Sequence, residues 1–484
     1  MFVTLLIKEI HETLINLRFM VAALLCIILI PLGFWVTMQE YGRRAENYST
    51  VRQLYADRAE GKLNFQFEAE GYRPPSPLVM LSTGLEYNLP NKVITSNGGR
   101  ITIYNDSGLD NPLSLLLGKI DFQFIVSMIL SLMALMFMFD SISGEKEQGT
   151  LRLIIANQLP RWKLITAKIA GSALVFFMPF AIALLIVLLM VNLSGSISLA
   201  DGVVLPGLLT GFGVSVLFLV AMFCLGALVS VMVGRSITSL IILLVLWTMF
   251  VLVIPKLSPM IAEIIHPITS QQVWAIERHN AEEALITERD NRLKELYERI
   301  RNDLSPMQDG VWERETQDMV MATYDEEKIP IENEYAERIA TTVRGIDTGY
   351  TNERRAQLTI ARNISRLSPV SCFQFILSEI AGTGLMEVDN WQQAAEQFQD
   401  QVTQDVYDKF DVRVYAGFSG SSTYSDVVDG FDPETAPVPQ MNDYRPVHVV
   451  DALGMVWPDL LLLALYTVLF FAGAFVKFIR YDVR

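Results

Sequence analysis

The chain has 484 residues, 51% of them hydrophobic and only 19% charged, with a formal net charge of −15. A soluble protein of this length carries more charge, so the composition points to a membrane protein. The acidity is local: residues 256–451 hold 35 acidic and 18 basic side chains, whereas the other 288 residues hold 18 and 20. No basic stripe is present, which excludes nucleic acid as a partner.

Residues 1–18 place Phe2, Leu5, Leu6, Ile10, Leu14 and Leu17 on one helical face and Lys8, Glu9, Glu12 and Arg18 off it. This spacing predicts an amphipathic helix lying in a membrane interface. Residues 19–38 carry no charge and are long enough to cross a bilayer. The apolar run is too long for a secretory signal and no small-residue cleavage site follows, so an uncleaved anchor is expected. Residues 39–119 are polar and evenly charged. Their turn-rich stretches at 73–77 and 96–100 and a β-like run at 101–104 predict a small mixed lobe.

Four further spans are predicted at 120–139, 164–192, 203–233 and 237–255. Spans three and four of the chain, 164–192 and 203–233, exceed the minimum length, so tilt or kinks are expected at Pro179 and Pro206. Gly207 and Gly211 form a GxxxG, the pattern of a close helix–helix contact. The acidic stretch 256–451 is large enough for its own core. Leu293, Leu296, Ile300 and Leu304 repeat at helical spacing, as do Ile331, Tyr335 and Ile339. Ser368-Pro369 starts a helix that residues 381–384 end; another begins near Asp389 and carries Trp391, Phe398 and Val402 on one face. Residues 416–439 read as loop, and 453–476 as a sixth span. The expected fold is a polytopic α-helical membrane protein of six transmembrane helices and an interfacial N-terminal helix. It carries a small mixed α/β lobe and a large, mainly helical lobe.

Six spans put both termini and the loop at 140–163 on one side of the membrane. That side carries Lys8, Arg18, Lys146, Arg152, Arg161, Lys163, Arg235, Lys477, Arg480 and Arg484, while the short loop 193–202 opposite has neither Lys nor Arg. The positive-inside rule makes the first side cytoplasmic and both lobes extracytoplasmic.

A catalytic site is not legible. The four histidines are scattered without ligand spacing, Cys26 and Cys224 lie in apolar runs, and Cys372 has no partner for a disulfide framework. The run from Gly144 to Thr150 imitates a phosphate loop but lacks the lysine before its threonine. No metal, cofactor or catalytic residue is therefore assigned to this chain. Asp121, Asp140, Lys168 and Asp459 sit near span ends, where they are expected to reach the interface, and the span centres are uncharged. This argues against ion-coupled transport.

The segment 139–172, FDSISGEKEQGTLRLIIANQLPRWKLITAKIAGS, resembles the cytoplasmic loop of ABC-2 type export permeases. The family pattern is an acidic residue after span two, then E-[KR]-E-x-G-T-L, a Pro-[SR] turn and a lysine opening span three. Asp140, Glu145, Lys146, Glu147, Gly149, Thr150, Leu151, Pro160, Arg161 and Lys168 match it, and Gln148 stands where the family often has Arg. Residues 73–90 and 367–384 look like parts of a subfamily with a large insertion between spans five and six, similar to gliding-motility and nitrous-oxide-reductase-maturation permeases.

The resemblance implies an export permease in a prokaryotic plasma membrane. It implies as partners a separate cytoplasmic ATPase subunit, which would bind ATP and Mg, and a second permease chain. Membrane lipid and an extracytoplasmic protein are further expected partners. The matched residues are expected to couple to the ATPase through a helix at 145–155, charged on one face and apolar on the other through Leu151, Leu153 and Ile154. The alternative expectation is a mechanotransmitting subunit that acts on periplasmic proteins and moves no substrate.

Overall fold

The structure, a computed structural model, describes residues 2–59, 68–96, 101–104, 120–152, 160–195, 197–199, 202–304, 314–410, 441, 444, 446 and 448–481. The loop read at 416–439 lies outside them. Among the described residues, six helices are long and apolar enough to cross a membrane; in hydrocarbon only a helix or a closed barrel satisfies its own backbone. Span 1 is Leu17–Ala59. Span 2 runs through Phe122–Phe124, a π-helical turn at Ile125–Leu130 and Ser131–Met138. Span 3 is Arg161–Ser194 and span 4 is Val204–Met232. Span 5, Ser236–Ile265, contains a second π-helical turn at Met249–Val253, and span 6 is Val449–Ile479. An amphipathic helix, Phe2–Leu14, precedes them.

Span 4 is the centre of the bundle. Its most apolar stretch is 78% buried, against 17% for spans 5 and 6. Span 6 packs along span 4, span 2 lies beside it, and span 3 packs against span 1 and the N-terminal helix. Lipid is as apolar as leucine, so close shape rather than water exclusion holds such helices together. Phenylalanines supply much of that contact. Phe122 lies 5.3 Å from Phe34 and 5.6 Å from Phe212, and Phe176 lies 5.4 Å from Phe137 and 5.1 Å from Phe223, ring to ring. Glycine permits the closest approaches. A Cβ on Gly226 would stand 2.7 Å from Met138 Cβ of span 2, and one on Gly171 2.8 Å from Glu9 Cβ of the N-terminal helix.

The GxxxG of span 4 makes the expected close helix contact at Gly211, against Leu377 of the helix Pro369–Ile380, whereas Gly207 meets a turn. Gly207 is filled by Leu78, and Gly211 by Leu81 and Leu377. These leucines come from two segments that the sequence places outside the membrane. Pro206 lies in the first turn of span 4, where a missing N–H deprives no carbonyl of its partner.

Outside the bundle, span 1 continues unbroken to Ala59. Three antiparallel strands follow, β1 (Glu68–Tyr72), β2 (Lys92–Ser96) and β3 (Ile101–Tyr104), in the order β1-β2-β3. The two lobes share a core in which Tyr55, Ala69 and Val93 of the first meet Trp391, Ala395, Phe398 and Val402 of the helix Leu385–Phe410. Beside it Arg73, buried, pairs with Glu86 at 3.0 Å. Burial pushes the Glu86 carboxyl above its ordinary range, and Arg73 opposes that rise.

A hairpin of two long helices, Gln271–Leu304 and Arg314–Ser365, also stands outside the bundle. At 1.5 Å per residue these measure about 51 and 78 Å. Its core is thin, with Leu296, Ile300 and Val320 buried. Along its flank Arg292 pairs with Glu334 and Arg338 with Glu288, both at 3.1 Å.

The helix Pro369–Ile380 forms a wedge in the outer end of the bundle, packed on spans 4, 5 and 6. Phe373 stacks on Phe218 of span 4 at 4.5 Å. Ser368 caps the helix by accepting from the N–H of Val370 and of Ser371, and its hydroxyl donates to the Phe250 carbonyl at 2.6 Å. That carbonyl lies within the π-helical turn of span 5, where the widened backbone leaves it open to a side-chain donor. The wedge is locked to the first lobe by Ser76 Oγ donating to the Ala381 carbonyl (2.6 Å), Thr383 Oγ1 to the Ser82 carbonyl (3.0 Å) and Leu85 N to the Thr383 carbonyl (2.8 Å).

Gly84 carries φ +39°, and a Cβ there would lie 2.6 Å from the Thr383 carbonyl oxygen. Gly84→Ala is therefore expected to cost at least about 2 kcal/mol from left-handed backbone strain and overlap combined. Gly345, inside the long hairpin helix with nothing near its missing Cβ, is the contrast: Gly345→Ala should gain about 0.5–1 kcal/mol. Thermal unfolding in detergent micelles reads both, and shifts of the same sign would contradict this account.

Candidate functional site

The segment 140–168 gathers the span ends that lie on the side of the N-terminal helix. Asp140, at the end of span 2, accepts two hydrogen bonds from Arg18 at the start of span 1, both 2.8 Å. The guanidinium also lies over the Phe139 ring, 4.5 Å from its centroid. This paired, two-point geometry fixes the two span ends relative to each other.

The next residues form a short helix, Ser143–Glu147. Ser230 of span 4 accepts through its hydroxyl from the N–H groups of Ile142 (3.1 Å) and Ser143 (3.0 Å), capturing two donors at the start of the helix. Glu145 pairs with Lys168 of span 3 at 2.9 Å, and Lys168 also pairs with Glu9 of the N-terminal helix at 3.0 Å. The Lys168 side chain is only 4% exposed. A cation so far from water persists because two carboxylates and their hydrogen bonds replace its hydration.

Lys146 and Glu147 divide their work by charge. Lys146 donates to the Val231 carbonyl and, at 3.2 Å, to that of Val233, at the C-terminal end of span 4. Glu147 accepts from Ser236 N at 3.0 Å, at the N-terminal end of span 5. A cation thus meets the negative end of one helix dipole and an anion the positive end of the next. Two consecutive side chains clamp the turn between spans 4 and 5 from opposite ends.

Gly149 has φ +73° and ends this helix in the way a glycine commonly does. Thr150 folds its hydroxyl onto the Glu145 carbonyl at 3.3 Å, and Leu151 is 1% exposed within the chain's own core. Pro160 precedes span 3 in an extended conformation. Arg161 donates to the carbonyls of Ile479 (2.5 Å) and Tyr481 (2.8 Å) at the end of span 6.

The continuous helix expected at 145–155 is therefore broken at Gly149. Leu151 faces inward rather than toward a partner, and Leu153 and Ile154 lie outside the described residues. Among its described residues the segment presents Glu147, Gln148, Gly149 and Arg152 outward, with Trp162, half-exposed, nearby. Glu9, Ser230 and Ser236 belong to the arrangement and were not legible in the sequence, and Arg18 was read only as a topological charge. For Arg18, Ser230 and Ser236 the one sequence signal is a polar side chain within a turn of a span end, which most spans share; Glu9 stands on the amphipathic helix, among its other charged residues.

The expectation that Asp121, Lys168 and Asp459 reach the membrane interface is also corrected: all three are buried and paired. Asp121 caps span 2 by accepting from Phe124 N at 2.7 Å, and accepts from Thr83 N and Oγ1 at 2.8 Å each. Asp459 of span 6 is 0% exposed and is held by two arginines at the base of the hairpin, Arg362 (2.7 Å) and Arg366 (2.6 Å). The Tyr466 hydroxyl of span 6 donates to the Arg366 carbonyl at 3.0 Å.

Lys168→Met leaves Glu9 and Glu145 without their shared cation and should cost about 3 kcal/mol, the scale of breaking a buried pair from one side. Ser230→Ala removes a single neutral acceptor and should cost about 1 kcal/mol. Thermal unfolding of the purified chain in detergent measures both, and equal losses would show that the buried cluster is not what holds this face together.

No curated protein matches the chain. The sequence profile of the ABC-2 family transporter proteins matches residues 3–483, and with them every span, both outer segments and the clasp at 140–168. Over nearly its whole length, this chain belongs to the ABC-2 transporter family, as a multi-pass membrane permease component.

Proposed function

We propose that the chain is the permease subunit of an ATP-driven exporter, moved through residues 140–168 by a separate ATPase subunit on the cytoplasmic face. Family membership implies association with an ATPase and a dimeric arrangement. The observation that carries the reading is mechanical. One short segment is bonded to the inner ends of spans 1, 3, 4, 5 and 6 and is itself continuous with span 2. A subunit pressing on the outward-facing Gln148 and Gly149 would displace all six ends together, because each contact is short and directional. ATP and Mg would be bound by that subunit, and this chain's contribution is to receive motion. The basic residues on this side support placing it in the cytoplasm, with the termini, in a prokaryotic inner membrane.

A second reading is favoured by Asp459 and its two arginines. Ionised groups this deep in a span mark functional positions by default, and this carboxylate joins span 6 to the hairpin. Movement of span 6 would thereby swing an arm about 78 Å long, which supports a subunit that acts on extracytoplasmic proteins without moving a substrate.

A tagged chain recovered from native membranes should bring an ABC ATPase with it. Gln148→Trp and Gly149→Pro should abolish that recovery while membrane insertion stays normal; retention of the ATPase by both variants would sink the coupling role. For the second reading, spin labels on the hairpin should report an ATP-dependent displacement in the assembled complex. Asp459→Asn should remove the displacement and leave ATPase recovery intact. An unchanged displacement would refute transmission through this pair.

A further inference from the structure

The two π-helical turns, Ile125–Leu130 of span 2 and Met249–Val253 of span 5, are joined by side chains. Ser131, which follows the first turn, donates to the Ser127 carbonyl at 2.5 Å. It also accepts from the Trp247 indole N–H, shortly before the second turn, at 2.9 Å. These bonds tie the half of span 5 that begins at Ser236 to span 2. Beyond the turn, the helix Ile254–Ile265 packs instead on the hairpin helix Arg314–Ser365. A π-helical turn closes its hydrogen bonds five residues back rather than four, and such turns are frequent at functional positions.

The backbone of the second turn has two ways to pair. The Ile254 N–H donates to the Met249 carbonyl, five residues back. In that register the Phe250 carbonyl would receive the N–H of residue 255, but Pro255 has none. The Ser368 hydroxyl supplies the missing donor at 2.6 Å, from the N-cap of the wedge. In an α-helical register the Ile254 N–H would itself take the Phe250 carbonyl, four residues back. Pro255 then deprives the Val251 carbonyl instead, which tips the balance toward the arrangement held by Ser368.

We propose that this turn is a two-register latch between span 5 and the wedge. Latched, as in the structure, the turn is π-helical and Ser368 holds Phe250. Released, the turn is α-helical, the Phe250 carbonyl has passed from Ser368 to Ile254, and the wedge parts from span 5. Each register gives that carbonyl one donor, so the two differ by few hydrogen bonds and a modest bias moves the population. Trp247 pins the near half of span 5 to span 2, so the change falls on Ile254–Ile265 and the hairpin packed on it. The wedge also carries Leu377, which fills Gly211 of span 4. Release therefore withdraws a side chain from the packing at the outer end of the bundle.

Cys372, one turn beyond Ser368 on the wedge and 0% exposed, reports release through its labelling by N-ethylmaleimide. The test uses the full chain in detergent, with Cys26→Ala and Cys224→Ala removing the other two thiols. No ATPase is required, so the result is independent of the coupling reading. Ser368→Asp can still cap Val370 and Ser371 but has no proton to donate to Phe250. It should speed labelling about tenfold, the scale of one buried hydrogen bond. Ser368→Thr keeps both the cap and the donor and should label at the original rate. Pro255→Ala restores the N–H that the Val251 carbonyl needs in the α-helical register, so it should also speed labelling about tenfold with Ser368 untouched. Its thermal midpoint should not fall, because alanine suits a helix interior better than proline, and this separates release from a general loosening. Labelling unchanged in Pro255→Ala, or faster only together with a lowered midpoint, would overturn the latch, as would unchanged labelling in Ser368→Asp.

Discussion

The face of this protein built around residues 140–168 depends on one buried cation. Lys168 sits on span 3 with its charge almost wholly removed from water, between Glu9 of the N-terminal helix and Glu145 of the short clasp helix. An ammonium in that position is tolerable only while both carboxylates stay in place, so three separate pieces of chain are held to one geometry. Gly171, one turn further along span 3, lets the N-terminal helix lie close enough for Glu9 to reach. From Glu145 the constraint passes to Lys146 and Glu147, which carry it to the ends of spans 4 and 5, and Arg18 and Arg161 close the ring at spans 1 and 6.

The outer end uses different physics. There the bundle is filled by an intrusion of the polar lobes, with Leu78 and Leu81 entering over Gly207 and Gly211 and the wedge helix lying across spans 4, 5 and 6. Hydrogen bonds between residues about 300 apart in sequence, such as Ser76 to Ala381 and Thr383 to Ser82, join the two lobes over this seal. The π-helical turn of span 5 offers its Phe250 carbonyl to Ser368, and the indole N–H of Trp247 one turn earlier donates to Ser131 of span 2 at 2.9 Å. Span 5 is little buried, yet it is tied at specific points to the wedge and to span 2. It can report movement of either without packing tightly on both.

The two ends are joined by continuous helices. Span 6 is bonded to the clasp at Ile479 and to the hairpin at Asp459, with about six helical turns between them. A continuous helix held at both ends transmits displacement with little loss. The long hairpin, by contrast, has a thin apolar core and surface ion pairs of modest individual worth, so its stiffness comes from length-wise helix pairing rather than from burial.

The spans were legible because hydrocarbon imposes a length and an apolar composition that no local interaction can disguise, and the charged segment 140–168 was legible because its residues repeat a family pattern. The strand at Ile101–Tyr104 and the cap at Ser368-Pro369 were readable for the same local reasons. The direction in which the clasp residues point was not legible. Helical spacing from Glu145 onward suggested a docking helix, whereas Gly149 turns the backbone left-handed and Leu151 enters the core. Asp459 reads as a span-end charge in the sequence, and the fold brings Arg362 and Arg366 to it from 97 and 93 residues away. The sequence by itself determined how many helices cross the membrane and which segment links their inner ends, since both follow from composition and local pattern. Only the tertiary structure decided which charges are buried together and which glycines admit a neighbour, because pairing and packing depend on residues distant in the chain.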